Sequence, residues 1–425
     1  MPNIQEWLQY IEDHYHYQHG GVHDSLPRLR GIAKKLNLDT PSNTVITIGG
    51  TNGKGSCVIY LESMLLAYGY KVGAYISPHI LHFNERIRIN GNNINDAKLV
   101  EAFSRIHPIC KDSEITYFEF ITLATLYIFK NTDLDIILLE VGLGGRFDAV
   151  NIIDSDISVI TTISFDHTQQ LGNTLEQIGY EKAGIMRPLK PCICGSKYIP
   201  NSIINYAQSI QTKLYCLNKD FYYSCAKNNS WSLKIHNKKL DDLPLPKLSL
   251  QDAATAIMTI SLLPDFSAIP KWDNAIKTGL RNAKLLGRFQ TIRDNPLVII
   301  DVAHNPESTQ FLAEQLANQP ISGKTFAVVG ILKDKDIKNT LEPMIPQIDQ
   351  WFVGSLDTET KRGASSKELI KFLDIIEAKL CYNCKCMYNA YRIALSTCTD
   401  KDRIIVFGSF YTITNILKEE IKRGN

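Results

Sequence analysis

Residues 44–56 read TVITIGGTNGKGS, and this stretch decides the fold. Thr44–Ile48 is a β-branched run of the kind that forms a buried strand. Glycines follow at once, and a stretch with helical spacing then runs to about Tyr68. A glycine-rich turn between strand and helix lets backbone N–H groups approach phosphate oxygens, and the helix N-terminus adds partial positive charge there. In that frame Lys54 reaches the β- and γ-phosphates and the Ser56 hydroxyl ligates Mg²⁺. Thr51, Asn52, Gly53, Lys54, Gly55 and Ser56 are therefore candidate ligands of a nucleoside triphosphate and its magnesium. A turn that merely caps a strand has no need of the lysine and the hydroxyl in that order. The loop is not the standard G-x-x-x-x-G-K-[ST], since Ile48 takes the first glycine position and Gly55 separates Lys54 from Ser56. That departure points away from GTPases and motor ATPases.

Outward from the loop, strand-like and helical segments alternate. Val72–Ile76, Asp135–Val141 and Ile157–Ile163 repeat the strand signature, with helical periodicity between them, notably over Phe118–Phe129. Such alternation implies a mainly parallel sheet with helices on both faces. Residues 200–250 differ: they are polar, rich in Asn and Lys, and read as a peripheral antiparallel insert. A second series follows Arg288, with strands at Val298–Asp301, Thr325–Gly330, Gln350–Val353 and Arg403–Phe407. The expected fold is α/β: a large N-terminal P-loop ATPase domain with a mainly parallel sheet, residues 1–287, and a smaller C-terminal Rossmann-like α/β domain, residues 288–425.

Composition sets the outer limits. A chain of 425 residues exceeds one ordinary core. A net charge of only +2, with both signs mixed along the chain, leaves no footprint for nucleic acid or an anionic membrane. The first residues lack a basic stretch followed by an apolar run, so no secretory signal is expected. Ten cysteines in such a chain read as reduced thiols, and the expected location is cytoplasmic. Neither Cys192 with Cys194 nor Cys381, Cys384 and Cys386 supplies the four ligands of a structural zinc. The His-rich start (His14, His16, His19, His23) reads as a polar helix end and loop.

A second constellation lies downstream. Glu140 ends a buried apolar strand, where a carboxylate without a partner is costly, and open parallel sheets bind ligands at that end. Asp166-His167 follows the next strand, and Lys182 lies one helix further on. A carboxylate, an imidazole and a hydroxyl can ligate Mg²⁺, although imidazole is unusual for so hard a cation. Gly142-Leu143-Gly144-Gly145 is no dinucleotide fingerprint, because its third glycine position falls on Phe147 and no helix pattern opens there.

Together these segments resemble the folylpolyglutamate synthases, including their bifunctional dihydrofolate synthase form, within the Mur-ligase superfamily. The resemblance is carried by GTNGKGS (50–56), SPH (77–79), YFEF (117–120), EVGLGGRFDAVN (140–151), DHTQQLG (166–172), EKAGI (181–185), GRFQ (287–290), DVAHNP (301–306), KDKD (333–336) and GSFYT (408–412). It implies an ATP- and Mg²⁺-dependent ligase that adds L-glutamate to dihydropteroate and to folates through an acyl phosphate. It further implies Ser56, Ser77, Glu140 and His167 as metal ligands, a carbamylated Lys182, and Lys54, His167 and Lys182 as the catalytic groups. Arg288, Asp301 and His304 become nucleotide and glutamate contacts of the second domain. Thr116, Tyr117, Phe118 and Glu119 with Phe147, Asp148 and Ala149 become contacts of the pterin-bearing substrate. The partners are small molecules, and the chain is expected to act as a monomer.

Three positions depart from that pattern. Asp252 stands where the family has an Asn that contacts adenine, and a carboxylate accepts but does not donate unless protonated. Tyr411 replaces a His, and the pteroate-binding segment at Gln18–Arg30 matches loosely. Two alternatives are a monofunctional folylpolyglutamate synthase and an ATP-driven switch without ligase chemistry. A cell-wall Mur ligase carries a sizeable domain ahead of the phosphate loop, for which about 45 residues are too few.

Overall fold

The computed structural model describes residues 3–15, 25–225, 230–235, 238–267 and 269–424. By packing, the chain divides into two compact units. One comprises Met1–Ser164 and Thr168–Lys284; the other comprises Phe165–His167 and Leu285–Asn425. No helix among the described residues is long and apolar enough to cross a membrane.

The first unit is built on a sheet of eight strands: β1 (Thr44–Gly49), β2 (Val72–Tyr75), β3 (Ile87–Ile89), β4 (Asn92–Asn93), β5 (Ile136–Glu140), β6 (Ile157–Ile160), β7 (Cys192–Cys194) and β8 (Leu214–Cys216). Their order is β4-β3-β2-β5-β1-β6-β7-β8. From β2 to β8 every pairing is parallel, and β3 and β4 add an antiparallel edge. Central strands are covered on both faces, which is why β1, β5 and β6 read as nearly unbroken apolar runs. The chain leaves β1 for β2, beyond β5, fills the place between them with β5, and then crosses to β6 on the other side of β1. The carboxyl ends of β1, β5 and β6 thus flank a topological switch point, where open sheets bind ligands.

Residues 200–250 differ from the peripheral insert expected. β8 belongs to the main sheet, helix Asn201–Ser209 packs on helix Leu175–Ala183, and β9 (Phe221–Cys225), β10 (Ser230–Ile235) and β11 (Lys238–Pro244) form a separate antiparallel sheet. The signal of β8 is weak because it is three residues long and set among polar neighbours, yet Tyr215 and Cys216 are buried.

The second unit holds β12 (Gln290–Asp294), β13 (Leu297–Ile300), β14 (Thr325–Val329), β15 (Gln350–Ser355), β16 (Cys381–Cys386) and β17 (Arg403–Phe407), in the order β12-β13-β17-β14-β15-β16. Only the β12–β13 hairpin is antiparallel. Ile299, Val329, Trp351 and Phe407 lie in its core. The cysteine-rich segment at 381–386 is its edge strand. Of the His-rich start, His14 ends helix Ile4–His14 and stacks on Tyr10, while His16, His19 and His23 lie outside the described residues, as do residues 18–24 of the pteroate-binding segment.

Candidate active site

The phosphate loop is sewn to the chain that follows β6. The Thr51 N–H donates to the Thr162 carbonyl (2.8 Å) and the Asn52 N–H to the Thr162 hydroxyl (3.0 Å). The Thr161 hydroxyl donates to the Asn52 carbonyl (2.6 Å), and the Thr51 hydroxyl donates to the Ser164 carbonyl (3.1 Å) while accepting from the Ser164 N–H (3.1 Å). Gly53 caps helix Lys54–Tyr68 at φ +83°, a conformation that side chains resist. Lys54 curls back so that Nζ donates to the carbonyls of Gly50 (3.2 Å) and Thr51 (3.1 Å). Its ammonium is thereby held over the loop, with Gly55 and Ser56 buried in the first helical turn below it.

Glu140 ends β5 directly opposite Ile48 of β1 and is 4% exposed. Its Oε2 accepts the Ser77 N–H at 2.9 Å, so Ser77 and the Glu140 carboxylate share one corner of the first unit. Two hydroxyls and a carboxylate are oxygen donors suited to a hard divalent cation. His167 packs with the second unit, in a left-handed conformation with φ +50°. Lys182 is 3% exposed, in the last turn of helix Leu175–Ala183. Next to it, the Glu181 carbonyl accepts the Arg146 N–H (2.9 Å), which ties the glycine-rich loop after β5 to that helix.

The pterin-side segments prove to be partly architectural. Thr116 and Glu119 form a capping box on helix Tyr117–Lys130: the Thr116 N–H donates to Glu119 Oε2 (2.7 Å), and the Glu119 N–H donates to the Thr116 hydroxyl (3.2 Å). Glu119 also accepts from the Ser25 hydroxyl and faces Arg28 at 3.7 Å. Tyr117, Phe118 and Phe147 keep partly exposed rings. The Phe118 ring lies against Gly142, where a Cβ would meet it at 2.7 Å. Asp148 folds inward beside Ala149, its Oδ2 accepting the Leu143 N–H (2.8 Å) and Oδ1 the Val150 N–H (3.0 Å). Burial pushes the Asp148 carboxyl up to about 6 against the pull of those hydrogen bonds and of the Lys54 charge.

In the second unit Asp301 holds two loops at once. Oδ2 accepts the Phe289 N–H and Oδ1 the Ala303 N–H, both at 2.8 Å. Burial raises its pKa, while the neighbouring Arg288 charge draws the other way. His304 Nδ1 lies 2.8 Å from the Val302 carbonyl, and its Nε2 lies 3.4 Å from Asp166 Oδ2. Asp166 also receives Lys335 Nζ (2.6 Å) and Asn305 Nδ2 (3.1 Å). Burial alone would raise the Asp166 pKa, but the hydrogen bond and charge of His304, with Lys335 and His167, hold it well below the usual carboxylate range. Asp166, Asn305 and Lys335 all lie in segments quoted from the sequence, DHTQQLG, DVAHNP and KDKD, but none of them is given a role there. Asp252, where the resemblance implies a purine contact, lies with its carboxylate against Gly53 of the phosphate loop.

A phosphate loop at the switch point of a parallel sheet, joined to a second α/β unit, defines an ATP-consuming ligase of the Mur type. Residues 48–268 match the Mur ligase middle domain, and residues 287–410 match the Mur ligase glutamate ligase domain. The chain is 40% identical over 419 residues to the dihydrofolate synthase/folylpolyglutamate synthase of Buchnera aphidicola from Acyrthosiphon pisum, covering 99% of this chain and 98% of that one. Among solved structures, E. coli FolC in complex with DHPP and ADP superposes with a TM-score of 0.90 at 35% identity, covering 100% of this chain and 99% of that chain. A bifunctional folylpolyglutamate synthase/dihydrofolate synthase with Mn, AMPPNP and L-glutamate bound superposes at 0.89 and 39% identity, covering 99% and 98%. This chain belongs to the dihydrofolate synthase/folylpolyglutamate synthase family.

Proposed function

We propose that this chain is an ATP-dependent acid–amino-acid ligase that joins L-glutamate to dihydropteroate, giving dihydrofolate, and to tetrahydrofolates, giving polyglutamates. The observation that carries the reading is the phosphate loop, with Lys54 folded over it and Glu140 and Ser77 joined at the neighbouring strand ends, in a chain alignable end to end with enzymes of both activities.

The substrate carboxylate attacks the γ-phosphate of ATP, giving an acyl phosphate and ADP, and the glutamate amine then displaces phosphate. Lys54 and the loop N–H groups hold the β- and γ-phosphates as charge moves onto the leaving oxygen. Ser56, Ser77, Glu140 and His167 would hold a magnesium ion, which supplies charge neutralisation at the phosphates when bound. Lys182, buried in the last turn of its helix, takes up CO₂ and releases a proton, and its carbamate adds an anion to the site. The half-exposed rings of Tyr117, Phe118 and Phe147, with Asp148 and Ala149, hold the pterin, while Thr116 and Glu119 fix the helix that carries Phe118. Arg288, Asp301 and His304 of the second unit serve nucleotide and incoming glutamate. A monomer in the cytoplasm belongs to the same reading.

The test is to supply purified protein with ATP, Mg²⁺ and glutamate, and dihydropteroate or tetrahydrofolate in turn, and to follow glutamylated product by mass spectrometry. Both products are expected. Extension of tetrahydrofolate alone would mark a monofunctional enzyme, and ADP release without either product would overturn the ligase reading.

A further inference from the structure

We propose that Asp252 is a positioning residue for the phosphate loop, whose carboxylate sets both the path of the loop and the strength of its grip on phosphate. The inference rests on the nucleotide-binding reading of that loop. The Asp252 side chain is 3% exposed, in the first turn of helix Leu250–Ile260. A Cβ built on Gly53 would lie 2.3 Å from its Oδ1, 2.6 Å from Oδ2 and 2.7 Å from Cγ. The loop backbone therefore rests directly on a carboxylate, and residue 53 must be glycine for that reason as well as for its positive φ.

The helix start that carries Asp252 is fixed in place. The Asp252 backbone N–H donates to the Ser249 hydroxyl (3.2 Å), the Gln251 side chain donates to the Gly195 carbonyl (2.9 Å), and the Leu248 N–H donates to the Tyr60 hydroxyl (3.1 Å). That last bond ties the turn before Asp252 to the very helix the phosphate loop opens. The charge reaches that helix. Burial, seconded by the Asp252 charge, raises the pKa of Tyr60, which lies in its second turn.

A helix N-terminus carries partial positive charge that stabilises anions. Here one end of one helix faces the Asp252 carboxylate and, on the nucleotide-binding reading, the phosphate as well. The carboxylate thus weakens the hold on phosphate while its bulk keeps the loop in shape, a balance that favours release of ADP after each turnover. Asparagine has nearly the same shape without the charge, so it separates the two effects.

Direct binding of ADP with Mg²⁺, measured by calorimetry on the whole protein, tests this apart from ligation. D252N is expected to bind ADP about five- to tenfold more tightly, with slower ADP release in stopped flow. D252S, also neutral but smaller, should bind more tightly than wild type yet less tightly than D252N, because it leaves the loop less supported. ADP affinity in D252N equal to or weaker than wild type, at an unchanged unfolding temperature, would overturn the role of Asp252. If D252N does not fold, D252S carries the same sign test, and affinity no better than wild type overturns the proposal. Wild-type protein that binds no ADP would instead overturn the nucleotide reading itself.

Discussion

Lys54 has its ammonium held by two loop carbonyls, above a loop at the end of β1. Replacing it by alanine removes charge from the site and leaves the core untouched. K54A should lower kcat/KM about 10²- to 10³-fold with unfolding temperature within a few degrees of wild type; ligation at a near-normal rate would refute the assignment. Asp148 offers a pH test. Its folded-state carboxyl titrates near 6 against an ordinary 3.8, so the folded state holds the proton more tightly than the unfolded one. The contribution is full below about 4 and lost as pH rises through about 6. Relative to wild type, D148N should gain up to about 3 kcal/mol of stability between pH 4 and pH 7, read from urea unfolding at several pH values. A difference that stays flat with pH would show that burial does not perturb this carboxyl.

At the scale of elements, what the sequence made legible and what it hid have the same physical cause. The first strand, the phosphate loop and its helix were readable because a long apolar run meets glycine and then an uninterrupted helical stretch. The helix expected at Phe118–Phe129 extends one residue further at each end, to Tyr117 and Lys130, because the Thr116–Glu119 box fixes its start. β8 and β16 escaped because they are short or at an edge, with composition set by their polar side. Asp166, Asn305 and Lys335 escaped for another reason: their meeting is tertiary, and residues more than a hundred positions apart carry no local signal of it. The double use of Glu119 was equally hidden, since a carboxylate in YFEF reads as a ligand until Ser25 and Arg28 are found beside it. E119A should therefore cost about 2 kcal/mol by denaturant midpoint, by removing a cap and leaving the Thr116 N–H and Ser25 hydroxyl without their acceptor. It should also raise KM for the pterin substrate more than it lowers kcat, since Phe118 rides on that helix. Unchanged stability with lost activity would make Glu119 a direct ligand instead.

For the molecule as a whole, the division into two units does not follow the chain strictly. Phe165–His167 packs with the second unit although its neighbours on both sides belong to the first. The Lys335–Asp166 pair, with side chains 6% and 8% exposed, is one tie of that tripeptide, beside those of His304 and Asn305. Removing one partner of a buried pair leaves an uncompensated charge, at a cost of about 3–5 kcal/mol. K335M should accordingly speed amide hydrogen exchange at residues 165–167 while residues 44–60 keep their protection. Uniform loosening throughout the chain would mean that the pair stabilises the protein generally rather than this tripeptide.

The contact between Phe118 and Gly142 bears on how the enzyme could be inhibited. No side chain fits at position 142 without driving the ring from its place. A compound that stacks on Phe118 would therefore press against a surface the organism cannot readily alter. Substitution at 142 would push the ring aside and, on the reading proposed above, disturb drug and pterin together, so that resistance would have to arise elsewhere, through uptake, efflux or gene dosage.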